Sequence, residues 1–160
     1  MKRATLLTVL AIVLLTACAP SQGSMDSANS QAPLAADSPL QGLVPPQTLT
    51  EILLNNGFHQ TRNYCTGTCT SYEVYAPQTI AKVYDDGTFS IQAVASAGGE
   101  LDLQVFNLVL AQAYGQELTD WAAEHLTPAM RKEQTDSLGN YDVSMTGNEN
   151  ERLTITITPK

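Results

Sequence analysis

A two-layer α+β sandwich, an antiparallel sheet with one long helix packed on it, is the fold class this sequence predicts, in the order α-β-β-β-β-α-β-β. Three observations carry it. Residues 58–96 have strand texture broken by turn signals, residues 100–126 repeat apolar positions at helical spacing, and residues 141–158 return to strand alternation. Helices set apart from runs of consecutive strands favour a helix layer on an antiparallel sheet over an alternating parallel fold.

The elements follow in order. Thr48-Leu49-Thr50-Glu51 fits a capping box, in which a hydroxyl and a carboxylate three residues apart each satisfy a free N–H of a first helical turn. It opens a helix with Leu49, Ile52 and Leu53 on one face, which Gly57 can close. Residues 60–65 and 69–76 read as a hairpin, with Tyr72, Val74 and Ala76 alternating against Ser71, Glu73 and Tyr75. Residues 79–84 and 88–96 flank Asp85-Asp86-Gly87, an Asp-Gly turn that lacks the carboxylate spacing of a calcium loop.

Residues 100–126 read as one long helix, bent or interrupted near Gly115 and stopped by Thr127-Pro128. Leu101, Leu103 and Val105 also alternate, so residues 100–106 suit strand or helix equally. In the last hairpin Tyr141, Val143 and Met145 alternate, residues 147–150 turn, and Leu153, Ile155 and Ile157 alternate against Thr154, Thr156 and Thr158. In element order alone the arrangement resembles the secretion-chaperone-like folds, a likeness that carries no activity with it.

Ahead of this domain, residues 47–160, lie two segments of other character. Residues 1–17 combine Lys2 and Arg3 with an uncharged apolar run of twelve residues, a signal-peptide core rather than a membrane span, which needs about 20. Leu15-Thr16-Ala17-Cys18 closes that run and resembles the lipobox of bacterial lipoproteins. The resemblance implies that the Cys18 sulfur takes a diacylglyceryl group, that cleavage falls between Ala17 and Cys18, and that the mature chain hangs from a membrane by its lipid. Two or three acyl chains make such anchoring stable. With Ala19 rather than aspartate after the cysteine, it implies the outer membrane where the cell has one, and otherwise the outer face of the cytoplasmic membrane. An ordinary signal peptide cut at Ala17-Cys18-Ala19, or a short core segment, is the alternative.

Residues 18–46 then form a tether, holding five of the eight prolines and no aromatic residue. As a flexible coil it reaches on average about 30 Å. The formal charge of −8 becomes −10 once Lys2 and Arg3 leave with the signal segment. So acidic a surface excludes nucleic acid as a partner, although the acidity equally suits plain solubility.

Chemistry is sparse. If lipid takes Cys18, then Cys65 and Cys69 remain as an even pair in an oxidising compartment, where a structural disulfide across a tight Thr66-Gly67-Thr68 loop is the expectation. A redox couple would use C-x-x-C at a helix start, and a zinc site needs four ligands where only His59 and His125 could join the thiols. No G-x-S-x-G, H-E-x-x-H or phosphate-cradling glycine loop is present, and neither metal nor cofactor is expected. Gly98-Gly99 most simply starts the helix, and His125, beside Trp121 on the apolar stripe, reads as a helix-end or core residue. Tyr64, Tyr72, Tyr75 and Tyr84 form a possible aromatic interface, or else cover the sheet. The functional expectation is a non-enzymatic, lipid-anchored envelope lipoprotein that binds a protein or a cell-wall component. A small-ligand carrier, or a small envelope enzyme with a dispersed site, is the alternative.

Overall fold

The computed structural model describes residues 39–75, 78–96, 101–148 and 152–160. The signal segment, the lipobox with Cys18, most of the tether, Ala76 and Gly98-Gly99 lie outside the described residues. The order is α1 (Pro46–Asn55), β1 (His59–Thr61), β2 (Cys69–Tyr75), β3 (Gln78–Tyr84), β4 (Phe89–Val94), α2 (Gln104–Ala129), β5 (Gln134–Leu138), β6 (Tyr141–Asn148) and β7 (Arg152–Pro159). The strands form one antiparallel sheet in spatial order β1-β2-β3-β4-β7-β6-β5, with both helices on one face. This is the expected α+β sandwich, with one further strand, β5, ahead of the final hairpin.

Strand alternation builds the core. Ala81, Val83, Phe89, Ile91, Ala93, Tyr141, Val143, Met145, Leu153, Ile155 and Ile157 all face the helices and are buried. Leu49 and Leu53 of α1, with Phe106, Val109, Leu110, Tyr114, Leu118 and Trp121 of α2, close over them. Gly115 interrupts α2 with φ 79° and ψ −173°, so two half-helices each lay an apolar face on the twisted sheet.

Several local expectations are corrected. The capping box does not form: Pro45 is the N-cap, Pro46 supplies the first helical residue with its φ already set, and Thr48 falls inside the first turn; its neighbour Thr50 bonds Tyr72 Oη through Oγ1 at 3.0 Å. Residues 101–103 are irregular and helix begins at Gln104. The helix runs one residue past Pro128, where the N–H that proline lacks is the one that would meet the carbonyl of Glu124, an exposed residue. The packed body also begins before residue 47. A 3-10 turn, Pro39–Gln41, buries Leu40 to 1 % exposure. Tyr141 Oη accepts from Val44 N–H at 2.7 Å and donates to the Gly42 carbonyl at 2.8 Å, so these residues belong to the domain rather than to the tether.

Candidate functional site

On β2 the residues facing away from the helices are Cys69, Ser71, Glu73 and Tyr75, and this outer face should be wet. Glu73 is nonetheless only 3 % exposed. Edge strand β1 sets His59 opposite Glu73 and Thr61 opposite Ser71, and Ser71 Oγ donates to the Thr61 carbonyl at 2.8 Å. The chain between β1 and β2 then returns Tyr64 to the same carboxylate.

Four side chains converge on Glu73. Tyr75 Oη donates to its Oε1 at 2.9 Å, His59 Nε2 stands 3.4 Å from the same oxygen, and the hydroxyls of Tyr64 and Thr61 stand near enough to favour the charged carboxylate. Burial by itself pushes the carboxyl up. The hydroxyls of Tyr75, Tyr64 and Thr61, with the adjacent His59 ring, outweigh burial and hold it below the usual carboxylate range. Both phenols are pushed up in return, first because ionising would break their bond to the anion, then by burial and by the charge of Glu73.

The consequence lies in Tyr75. The residue is 67 % exposed, yet its hydroxyl is tied to a buried anion and its ring lies against His59 with centroids 4.9 Å apart. An exposed aromatic held in one orientation has little rotamer entropy left to lose when something docks on it, which is the condition that makes aromatic contacts strong in interfaces. Glu73 acts as the clamp: its Oε1 takes the Tyr75 hydroxyl and faces His59, and a carboxyl held low is a poor base.

The four sequence-nominated tyrosines do not form one patch. Tyr64 and Tyr75 meet at Glu73. Tyr72, an odd number of residues from Tyr75, points to the opposite face and is buried against Thr50. Tyr84 is half-buried at the far end of β3, opposite Cys69, and lines a separate hollow of about 410 Å³ with Thr50, Thr70 and Asp85. Cys65 and Cys69 are disulfide-bonded, with Cα atoms 5.9 Å apart. They are not cross-strand partners as the tight-loop reading required, because β1 ends at Thr61 and Cys69 pairs with Tyr84. The bridge instead closes residues 66–68 and ties Cys65, the residue after Tyr64, to the start of β2.

Glu73 and His59 went unrecognised as site residues. The available signal was Glu73 two residues from Tyr75 on one strand face; placing His59 there requires the β1–β2 register. His125 lies on α2, across the sheet, with Nδ1 at 2.8 Å from the Trp121 carbonyl and its ring stacked on that indole. Among the described residues no cluster of three or more His, Cys, Asp or Glu could hold a metal ion, and no helix is long and apolar enough to cross a membrane. Against known protein families, characterised proteins and solved structures, the chain has no match.

Proposed function

We propose that this chain is a lipid-anchored envelope lipoprotein whose domain is a non-enzymatic binding module, held to the membrane through Cys18 and contacting an envelope protein or cell-wall component through the His59, Tyr64 and Tyr75 platform. The observation that carries the contact surface is Tyr75, exposed by its ring and fixed by its hydroxyl on Glu73. The anchor rests on the lipobox resemblance of residues 15–18, and the tether composition supplies reach from the membrane. Two substitutions test the two halves separately. Cys18→Ala abolishes lipid labelling and moves the protein out of the detergent phase; unchanged partitioning refutes the anchor. Tyr75→Ala, in the anchored protein, abolishes crosslinking-assisted capture of the envelope partner in a domain that stays folded, at a lower melting temperature because Glu73 loses a donor; undiminished capture refutes the platform.

A further inference from the structure

The outer face of the sheet has a composition that the tyrosine platform does not account for. The register places Lys82, Ser90, Thr156, Ser144 and Thr135 in one transverse row across β3, β4, β7, β6 and β5. Two residues along the strands, Ile80, Gln92, Thr154 and Thr146 make a second row, Ile80 buried and the other three polar, with Gln92 Nε2 donating to Thr154 Oγ1 at 3.1 Å. At the β5 end, Thr135, Ser137, Asp142, Ser144, Thr156 and Thr158 line a hollow of about 490 Å³. Adjacent strands lie about 4.8 Å apart, so the row repeats a hydroxyl at close to the length of one hexose in an extended chain.

Charge narrows the occupant. Lys82 stands half-buried in the interior of this face and takes part in no ion pair among the described residues, in a chain where acids outnumber bases by sixteen to eight. The other charges of the face are buried Glu73, exposed Arg152 at one end, and Asp142 at the other, which accepts from Ser137 Oγ at 2.5 Å and has Lys160 at 4.0 Å; Asp136 also lines the hollow, but its register is that of the helix face, where it accepts from Trp121 Nε1–H. One unpaired ammonium amid neutral hydroxyls complements an isolated carboxylate on a hydroxyl-rich ligand. A nucleic acid or an anionic bilayer would need a cluster of cations. A protein hot spot would need large apolar anchors, and of the exposed large hydrophobics Leu43, Leu54, Tyr75 and Leu108 only Tyr75 belongs to this face, at its corner.

We propose that the row from Lys82 to Thr135 binds an extended saccharide strand bearing isolated carboxylates, the peptide-free glycan strand of a bacterial cell wall. Serine and threonine hydroxyls both donate and accept, matching sugar hydroxyls that do the same, and the Lys82 ammonium takes the carboxylate. The assignment rests on the envelope reading above and names the cell-wall component.

The test titrates the full chain, in mild detergent, with a tetrasaccharide of alternating N-acetylglucosamine and N-acetylmuramic acid, read by backbone amide NMR. Chitotetraose, the same β-1,4 backbone without the lactyl carboxylates, is the control. The expected result is perturbation centred on Ser90, Ser144 and Thr156, with Lys82→Gln weakening binding at least tenfold, to the level of chitotetraose, and Lys82→Arg retaining it. No perturbation of this face at millimolar saccharide, equal binding of the two saccharides, or wild-type affinity in Lys82→Gln overturns the assignment. The platform is judged independently: capture lost in Tyr75→Ala without any saccharide binding leaves the platform standing and removes the glycan, whereas saccharide binding with undiminished capture in Tyr75→Ala does the reverse.

Discussion

Replacing Gly115 by alanine sets two opposed effects against each other. In a regular helix interior, glycine to alanine stabilises by about 1 kcal/mol, through propensity and a less flexible unfolded chain. Gly115 is not in a regular conformation: φ 79° with ψ −173° is a region where a Cβ is strained, at about 1–3 kcal/mol. Relaxing that strain by straightening α2 would rotate the second half-helix off the sheet. Leu118 and Trp121 would then leave their buried positions, at about 2–5 kcal/mol for each large side chain displaced. Thr119 Oγ1, which donates to the Gly115 carbonyl at 3.0 Å, would lose that geometry too. The strained route is the cheaper, and strain of about 2 kcal/mol against a gain of about 1 gives an expected net loss of about 1 kcal/mol. Trp121 is the chain's single tryptophan, buried and donating Nε1–H to Asp136 Oδ2 at 3.1 Å, so urea unfolding followed by its fluorescence reads the domain directly. A Gly115→Ala protein with an equal or higher urea midpoint and the same denaturant slope would refute this reasoning.

Other perturbations follow from single contacts. Because the Glu73 carboxyl is held low in the folded state, its contribution is in force above the ordinary glutamate value of about 4.3 and is lost as pH falls through the lower folded value. The wild-type urea midpoint therefore declines on acidification below that pH, and Glu73→Gln shows a shallower decline; parallel profiles would contradict the clamp. Tyr114 is fully buried and its hydroxyl has no partner among the described residues, so Tyr114→Phe stabilises the domain by about 1 kcal/mol in the same assay. A loss of similar size would mean the hydroxyl is satisfied. The double variant Cys65→Ser, Cys69→Ser stays folded and loses about 2 kcal/mol or less, because the loop it closes is very short. Two titratable thiols in the native wild-type protein would refute the pairing.

Where one face of an element is buried and the other wet, the sequence was readable. Strands β6 and β7 show it best, since Tyr141, Val143, Met145, Leu153, Ile155 and Ile157 alternate without exception and all are buried. The Asp85-Asp86-Gly87 turn and the break at Gly115 were legible because both need positive φ, which glycine adopts without strain. Strand β5 was not legible. Gln-Thr-Asp-Ser-Leu is an edge strand paired only with β6, so it carries little apolar alternation and is held by its backbone ladder. The anchoring of residues 40–44 was hidden for a related reason: Leu40, Val44 and hydrogen bonds to distant Asn140 and Tyr141 secure a segment whose composition is that of a linker. The site was half legible. The tyrosines stood out, but which of them share a face depends on odd or even spacing, and the clamp depends on a pairing of β1 with β2 that three residues of sequence do not announce.

The central claim is that the His59, Tyr64 and Tyr75 platform is the contact surface of an envelope-tethered domain. The most direct measurement leaves the platform intact and replaces Asn63, exposed beside Tyr64, by a photocrosslinking phenylalanine analogue in the anchored protein, with Leu108, which is 45 % exposed on α2, replaced by the same analogue as a control for the helix face. A discrete adduct is expected from position 63 after irradiation of intact cells and none from position 108. An adduct from position 108 alone, or the same diffuse background from both, would contradict the platform.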